Sequence, residues 1–141
     1  MQKIILDTNV LVSALVQRSY PFLIVDNLFA TNEFELCISE ALLREYYEVL
    51  NRRKFSKYHD FLANAETLLI NIERKGKLYT PGITLSIIND FADNRLLELA
   101  DESKADFLIT GNTNDFTISS YKHTQIVNPK DYFQNHHSGL I

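Results

Sequence analysis

Five short apolar runs punctuate the chain: QKIIL (2–6), FELCI (34–38), KLYTP (77–81), DFLIT (106–110) and QIV (125–127). None alternates apolar with polar residues, and stretches of helical periodicity separate them. A strand wetted on one face alternates, whereas a strand covered on both faces is apolar throughout. The pattern therefore predicts an α/β fold with a central parallel sheet and helices on both of its faces. Helices are expected at 9–16, at 20–31 with Pro21 in the first turn, and at 39–53 with Ser39 as N-cap. Others are expected at 57–75, closed by Gly76, at 93–103, and from Pro129 onward.

No repeat, low-complexity segment or linker interrupts this order. A chain of 141 residues suffices for one domain with a real core. That domain is expected over 1–135, followed by a flexible polar tail at 136–141 that holds His136 and His137. No apolar run approaches the roughly 20 residues needed to cross a bilayer. Only three apolar residues lie between Lys3 and Asp7, which does not match a signal peptide. Cys37 is the single cysteine, so no intramolecular disulfide forms, and a cytoplasmic location is expected. Within FELCI it reads as a small buried hydrophobe.

The net charge of −4 excludes a chain that binds nucleic acid by bulk cationic charge. Local imbalance remains. Residues 44–57 carry Arg44, Arg52, Arg53, Lys54 and Lys57 against Glu45 and Glu48. Residues 90–106 carry Asp90, Asp93, Glu98, Asp101, Glu102 and Asp106 against Arg95 and Lys104. A basic strip near an acidic cluster suits a phosphate-bearing substrate and a cation, although a solvated helix face also accounts for the strip.

Asp7 interrupts the most hydrophobic N-terminal segment, IILDTNVLVSALV. A lone buried charge costs several kcal/mol, so Asp7 must lie where solvent or a partner reaches it. The carboxyl edge of a parallel sheet is such a place, and functional groups gather there. Asp115 follows the DFLIT strand across the turn GNTND. Asp93 opens the 93–103 helix in the direction of Leu97 and Ala100, where its simplest role is an N-cap for the amides of Arg95 and Leu96. Glu45 lies at the border of the apolar face of its helix, about 60° from Leu42 and about 40° from Val49. Alone it reads as a surface acid. Together, four such acids at one edge could not all ionise unaided, and a divalent cation removes the conflict. Oxygen ligands without nearby His or Cys point to Mg²⁺ or Mn²⁺. His59 and His123 lack metal-ligand spacing, and Tyr46, Tyr47 and Phe116 read as packing residues.

The segments LDTNVLVSAL (6–15), SEALLREYYEVLNRRKF (39–55), DNRLLELADESKADFLITGNTNDF (93–116) and NPKDYF (128–133) resemble a PIN domain. The resemblance is to the group of toxin components of toxin–antitoxin systems related to VapC-like toxins. It implies a three-layer α/β/α sandwich and a Mg²⁺- or Mn²⁺-dependent ribonuclease that leaves a 5′-phosphate and a 3′-hydroxyl. The family's catalytic and metal-binding acids carry over onto Asp7, Glu45, Asp93 and Asp115. Asn9, Thr110 and Asn112 match positions that support the site. Asn112 stands where many members have a further Asp, so a second metal ion would be held less firmly. Arg44, Arg52, Arg53 and Lys54 are the candidates for gripping the RNA backbone. Expected partners are an RNA substrate, an antitoxin protein and a second copy of the chain joined through the apolar faces of 20–31 and 57–72. The alternative is a PIN fold that binds RNA or protein with little or no turnover. A response-regulator receiver is disfavoured because it needs an acidic pair after the first strand and a Lys after the last. A haloacid-dehalogenase-like site needs Asp-x-Asp where Asp7-Thr8-Asn9 stands.

Overall fold

The computed structural model describes residues 1–136, the side chain of Asp115 excepted; His137 and the rest of the expected tail lie outside the described residues. The strands are β1 (Gln2–Leu6), β2 (Phe34–Ser39), β3 (Lys77–Tyr79), β4 (Phe107–Ile109), β5 (Ser120–Tyr121) and β6 (Thr124–Val127). The helices are α1 (Thr8–Val16), α2 (Tyr20–Ala30), α3 (Glu40–Leu50), α4 (Phe61–Lys75), α5 (Phe91–Ser103) and α6 (Pro129–Asn135). The sheet order is β3-β2-β1-β4-β6-β5. All pairings are parallel except that of β5 with β6. Successive residues Ile4, Ile5 and Leu6 of β1, and Phe107, Leu108 and Ile109 of β4, are all buried, as a sheet covered on both faces requires.

The chain steps outward from β1 to β2 to β3, then returns across β1 to β4. Parallel crossovers are right-handed, so reversing direction moves the connecting helix to the opposite face. Helices α1 to α4 thus cover one face, where they pack on one another, and α5 covers the other against β1, β2 and β3. The strand order reverses between β1 and β4, which opens a crevice beyond their carboxyl ends. Asp7 follows β1 and Thr110 follows β4 at that crevice.

Several boundaries differ from the sequence pattern. The expected helix at 57–75 begins only at Phe61: the 3-10 turn Arg53–Lys57 ends in extended backbone at Tyr58, and Asp60 takes a left-handed backbone (φ 58°) immediately before α4. Gly76 closes α4 for lack of space and not for a positive φ: its φ is −68°, and a Cβ there would lie 2.6 Å from the carbonyl oxygen of Ile72. Strand β5 is two residues long, joined to β6 by a tight turn with Lys122 at φ 51°, and too short to show a period. His136 does not belong to a flexible tail. Its ring lies 4.8 Å from that of Phe107, and its carbonyl accepts a 2.8 Å bond from the Gln2 amide. The Lys75 ammonium caps α2 through the carbonyls of Leu28, Phe29 and Thr31 at 3.2, 3.2 and 2.5 Å. Among the described residues no helix is long and apolar enough to cross a membrane. Cys37 is fully buried in β2, and desolvation pushes its thiol up to about 12, so it is an inert packing residue.

Candidate active site

Asp7 sits at the junction of β1 and α1. Its backbone N–H extends the sheet ladder to the Ile109 carbonyl at 2.9 Å, and α1 starts at the next residue. Although it occupies the N-cap position, its carboxylate makes no capping bond and faces the crevice chemistry instead. The Thr110 hydroxyl donates to Oδ2 at 2.8 Å and the Asn9 amide donates to the same oxygen at 3.3 Å. Asn9 also accepts from the Gly111 N–H at 2.8 Å, and the Thr110 oxygen accepts from the Asn112 N–H at 3.1 Å. These bonds tie the loop after β1 to the loop after β4. Gly111 permits the close approach, since a Cβ would meet the Asn9 side-chain oxygen at 3.2 Å. Asn9 and Thr110 therefore hold Asp7 directly, whereas Asn112 contributes its backbone N–H and leaves its side chain exposed.

Helix α3 delivers Glu45. Ser39 caps it by accepting from the Leu42 N–H at 3.1 Å. The wholly buried Tyr46 donates its hydroxyl to the Leu6 carbonyl at 2.5 Å, which docks α3 against the end of β1. Glu45, one residue earlier and half-buried, accepts a hydrogen bond from the Thr8 hydroxyl. That bond turns a border residue inward beside Asp7.

Helix α5 begins at Phe91, so Asp93 is not its cap. Asp90 holds that position, and its Oδ1 accepts from the Asp93 N–H at 3.1 Å. The preceding loop is pinned by two buried polar side chains. Asn94 accepts from the N–H groups of Ile87 and Ile88, both at 3.0 Å, and donates to the carbonyls of Ile88 and Asp90 at 2.6 and 3.0 Å. Glu98 accepts from the Leu85 N–H at 2.7 Å and pairs with Arg95. Asp93 itself is half-buried, one turn before the fully buried Leu97.

The carboxyl of Asp7 is raised above its usual range, chiefly by desolvation; the Thr110 bond opposes this, and the negative charges of Glu45 and then Asp90 add to it. Asp90 is thus the acid that the sequence pattern missed; its signal was its position three residues before Asp93, the spacing of an N-cap. Asp115 ends the 3-10 turn Thr113–Asp115 after β4, and its side chain lies outside the described residues. Among the described residues, no three His, Cys, Asp or Glu side chains group closely enough to hold a metal ion by themselves.

The charge runs separate into different roles. Asp101 binds Lys122 at 2.6 Å and Tyr121 at 3.0 Å; Asp106 binds His123 and the Lys3 N–H, both at 2.8 Å. Glu98 anchors the loop. Only Asp90 and Asp93 of that stretch stand at the start of α5. Of the basic residues, Arg44 adjoins Glu45 on α3 and lies 3.5 Å from Glu40. Arg52 forks onto Glu48 at 2.9 and 3.1 Å, about 10 Å further along the helix axis. Arg53 and Lys54 continue away from Glu45 in the 3-10 turn, with the Lys54 ammonium 5.2 Å from the Phe55 ring centroid.

An acid-lined crevice at the strand-order reversal of an α/β/α sandwich defines a class of sites suited to hard cations and phosphate groups. A model of the PIN domain family matches residues 3–114, and the chain belongs to that family. No curated protein sequence matches it. Among solved structures, the chain is similar to one in the crystal structure of VapBC2 from Rickettsia felis bound to a DNA fragment from their promoter. The two are 17% identical with a TM-score of 0.58, over 90% of this chain and 98% of that one. That likeness establishes the shared fold.

Proposed function

We propose that the protein is a divalent-metal-dependent ribonuclease and the toxin of a toxin–antitoxin pair. The observation that carries this reading is Asp7: buried at the crevice, fixed by Thr110 and Asn9, and pushed toward its neutral form chiefly by desolvation, with smaller additions from the charges of Glu45 and Asp90. An acid held this way is costly unless a cation shares the space, and the donors offered are hard oxygens. The residues therefore fit Mg²⁺ or Mn²⁺, with Asp7, Asp93 and Asp115 as holders. Since the described side chains do not complete a ligand set, Asp115 is essential to this reading.

A bound ion of this kind polarises the scissile phosphate and lowers the pKa of the attacking water. Glu45 orients that water in line with the leaving 3′-oxygen and accepts its proton, the 3′-oxygen takes a proton from solvent as the P–O bond breaks, and the Thr8 hydroxyl holds Glu45 in place. Asp7 keeps one oxygen engaged with Thr110 and Asn9, so it cannot rotate away as substrate enters. Arg44, exposed beside Glu45, neutralises an adjacent backbone phosphate. Arg52, Arg53 and Lys54 grip RNA further along.

An antitoxin is the expected protein partner; the similar solved structure is that of VapBC2 on promoter DNA. The exposed Leu23 of α2 and Leu62 and Ile70 of α4 support contact with a second copy. A non-catalytic PIN module is the second reading, favoured by the uncharged Asn112. The deciding experiment incubates the protein with structured and unstructured RNA in Mn²⁺ or EDTA, beside an Asp7→Asn control. Cleavage in Mn²⁺ by the parent alone, leaving 5′-phosphates, supports the ribonuclease. Undiminished cleavage by Asp7→Asn would refute it, and RNA retention without cleavage selects the second reading.

A further inference from the structure

Among the described residues Phe91 is the most exposed large aromatic side chain, at 73%, and it stands between Asp90 and Asp93. A single exposed apolar residue needs no explanation by itself. One neighbour makes this one different. The Arg95 guanidinium lies 4.2 Å from the Phe91 ring centroid. That guanidinium is fixed, donating to the Leu85 carbonyl at 3.0 Å and pairing with the buried Glu98. The ring is thus backed by an immobilised planar cation on one side and open to solvent on the other.

A hollow of about 400 Å³ adjoins it, walled by Phe91, Ala92 and Arg95 of α5 and by Leu42, Arg44, Glu45 and Glu48 of α3, with Glu48 already paired to Arg52. This volume is within the range of roughly 300–1,000 Å³ typical of small-ligand sites. Glu45 is shared between the hollow and the Asp7 crevice, so whatever enters one is adjacent to the other.

We infer that Phe91, backed by Arg95, is a stacking platform for one unpaired base of an RNA strand, next to the phosphate that is cut. This rests on the ribonuclease reading and adds to it a substrate-positioning residue, Phe91, that contacts a base and not the phosphate backbone. A base needs an open aromatic face and an apolar wall, and both are present. Its flanking phosphate needs a cation, and Arg44 lines the same hollow. A base still paired in a helix presents its edge and not its face, so duplex RNA cannot use the platform.

The chain has no tryptophan, so Phe91→Trp introduces a unique fluorophore at the platform. Its emission is titrated in EDTA, without turnover, with three probes: a single-stranded RNA oligomer, its duplex, and an abasic ribose-phosphate oligomer of equal length. Saturable quenching by the single strand alone is expected. In Mn²⁺, Phe91→Ala should raise KM by about five-fold or more with kcat changed less than about two-fold, and Phe91→Tyr should restore KM. Flat emission with every probe, together with an unaltered KM in Phe91→Ala, would overturn the inference and leave Phe91 to a protein partner. Equal quenching by duplex or by the abasic strand would overturn it too, by reducing the contact to phosphate binding. If the parent protein cuts no RNA but Phe91→Trp is quenched by the single strand, the platform stands and only the ribonuclease reading fails.

Discussion

Thr110→Val tests whether the crevice is organised around an ionised Asp7. Thr110 is fully buried, and its hydroxyl donates to Asp7 Oδ2 at 2.8 Å. Valine keeps the shape and removes the donor. A hydrogen bond to a charged group contributes about 1.5–3 kcal/mol, against about 0.5–1.5 kcal/mol between neutral groups. Two further bonds are lost and cost little: the Asn112 N–H is on an exposed residue where water replaces the acceptor, and the Asn9 amide, 3.4 Å from the Thr110 oxygen, keeps its bond to Asp7. For 141 residues at about 2.1 cal/mol/K each, the unfolding entropy is about 0.3 kcal/mol/K. Thr110→Val should therefore lower Tm by about 5–10 °C at neutral pH without metal. In an Asp7→Asn background the bond is neutral, and the same change should cost only about 2–5 °C. The Thr110 bond opposes the upward shift of Asp7, so removing it raises that carboxyl further. The mutational loss therefore shrinks at acid pH, where the carboxyl is protonated in both proteins. Thermal unfolding of the parent, both single variants and the double variant, at neutral and acid pH, measures the coupling. Additivity within about 0.3–0.5 kcal/mol would refute the reasoning, because the two groups would then not interact.

Asp7 itself is predicted to destabilise the metal-free fold. Its native pKa lies above the ordinary carboxylate range, so the native state binds the proton more tightly, and stability falls as pH rises from that range through the raised value. Asp7→Asn should consequently melt above the parent at pH 7 and level with it near pH 3, as read by scanning fluorimetry. Thr8→Val removes the hydroxyl that aims Glu45 and should cut kcat about tenfold or more with KM little changed; Thr8→Ser should restore it, and circular dichroism should not change. Tyr46→Phe strands the Leu6 carbonyl inside the core and should cost about 1–2 kcal/mol in urea unfolding.

Much of the fold was legible because burial leaves a mark at each position. A strand covered on two faces must be apolar at successive residues, and QKIIL, FELCI and DFLIT are, at or near the observed bounds of β1, β2 and β4. Cys37 and Phe116 read as packing residues and are buried. Tyr46 read the same way, but its hydroxyl has the added task of docking α3. The charge runs were less legible. Glu98, Asp101 and Asp106 looked like members of one acidic cluster with Asp93, yet each finds a separate partner in the fold. The start of α5 was placed two residues late, because Asp90 and Asp93 are both plausible caps by type, and only the loop pinned by Asn94 selects between them.

The sequence by itself determined a parallel sheet with an acid at the end of its first strand, since period and burial are local properties that side chains carry along the chain. Only the tertiary structure decided which acids meet. Glu45 lies beside Asp7 because Tyr46 and Thr8 hold it there, and a loop anchored on Asn94 and Glu98 brings Asp90, at the start of α5, close enough for its charge to be felt at Asp7. Electrostatic coupling depends on distance through space, and a list of residues contains no such distances until the crossovers have closed.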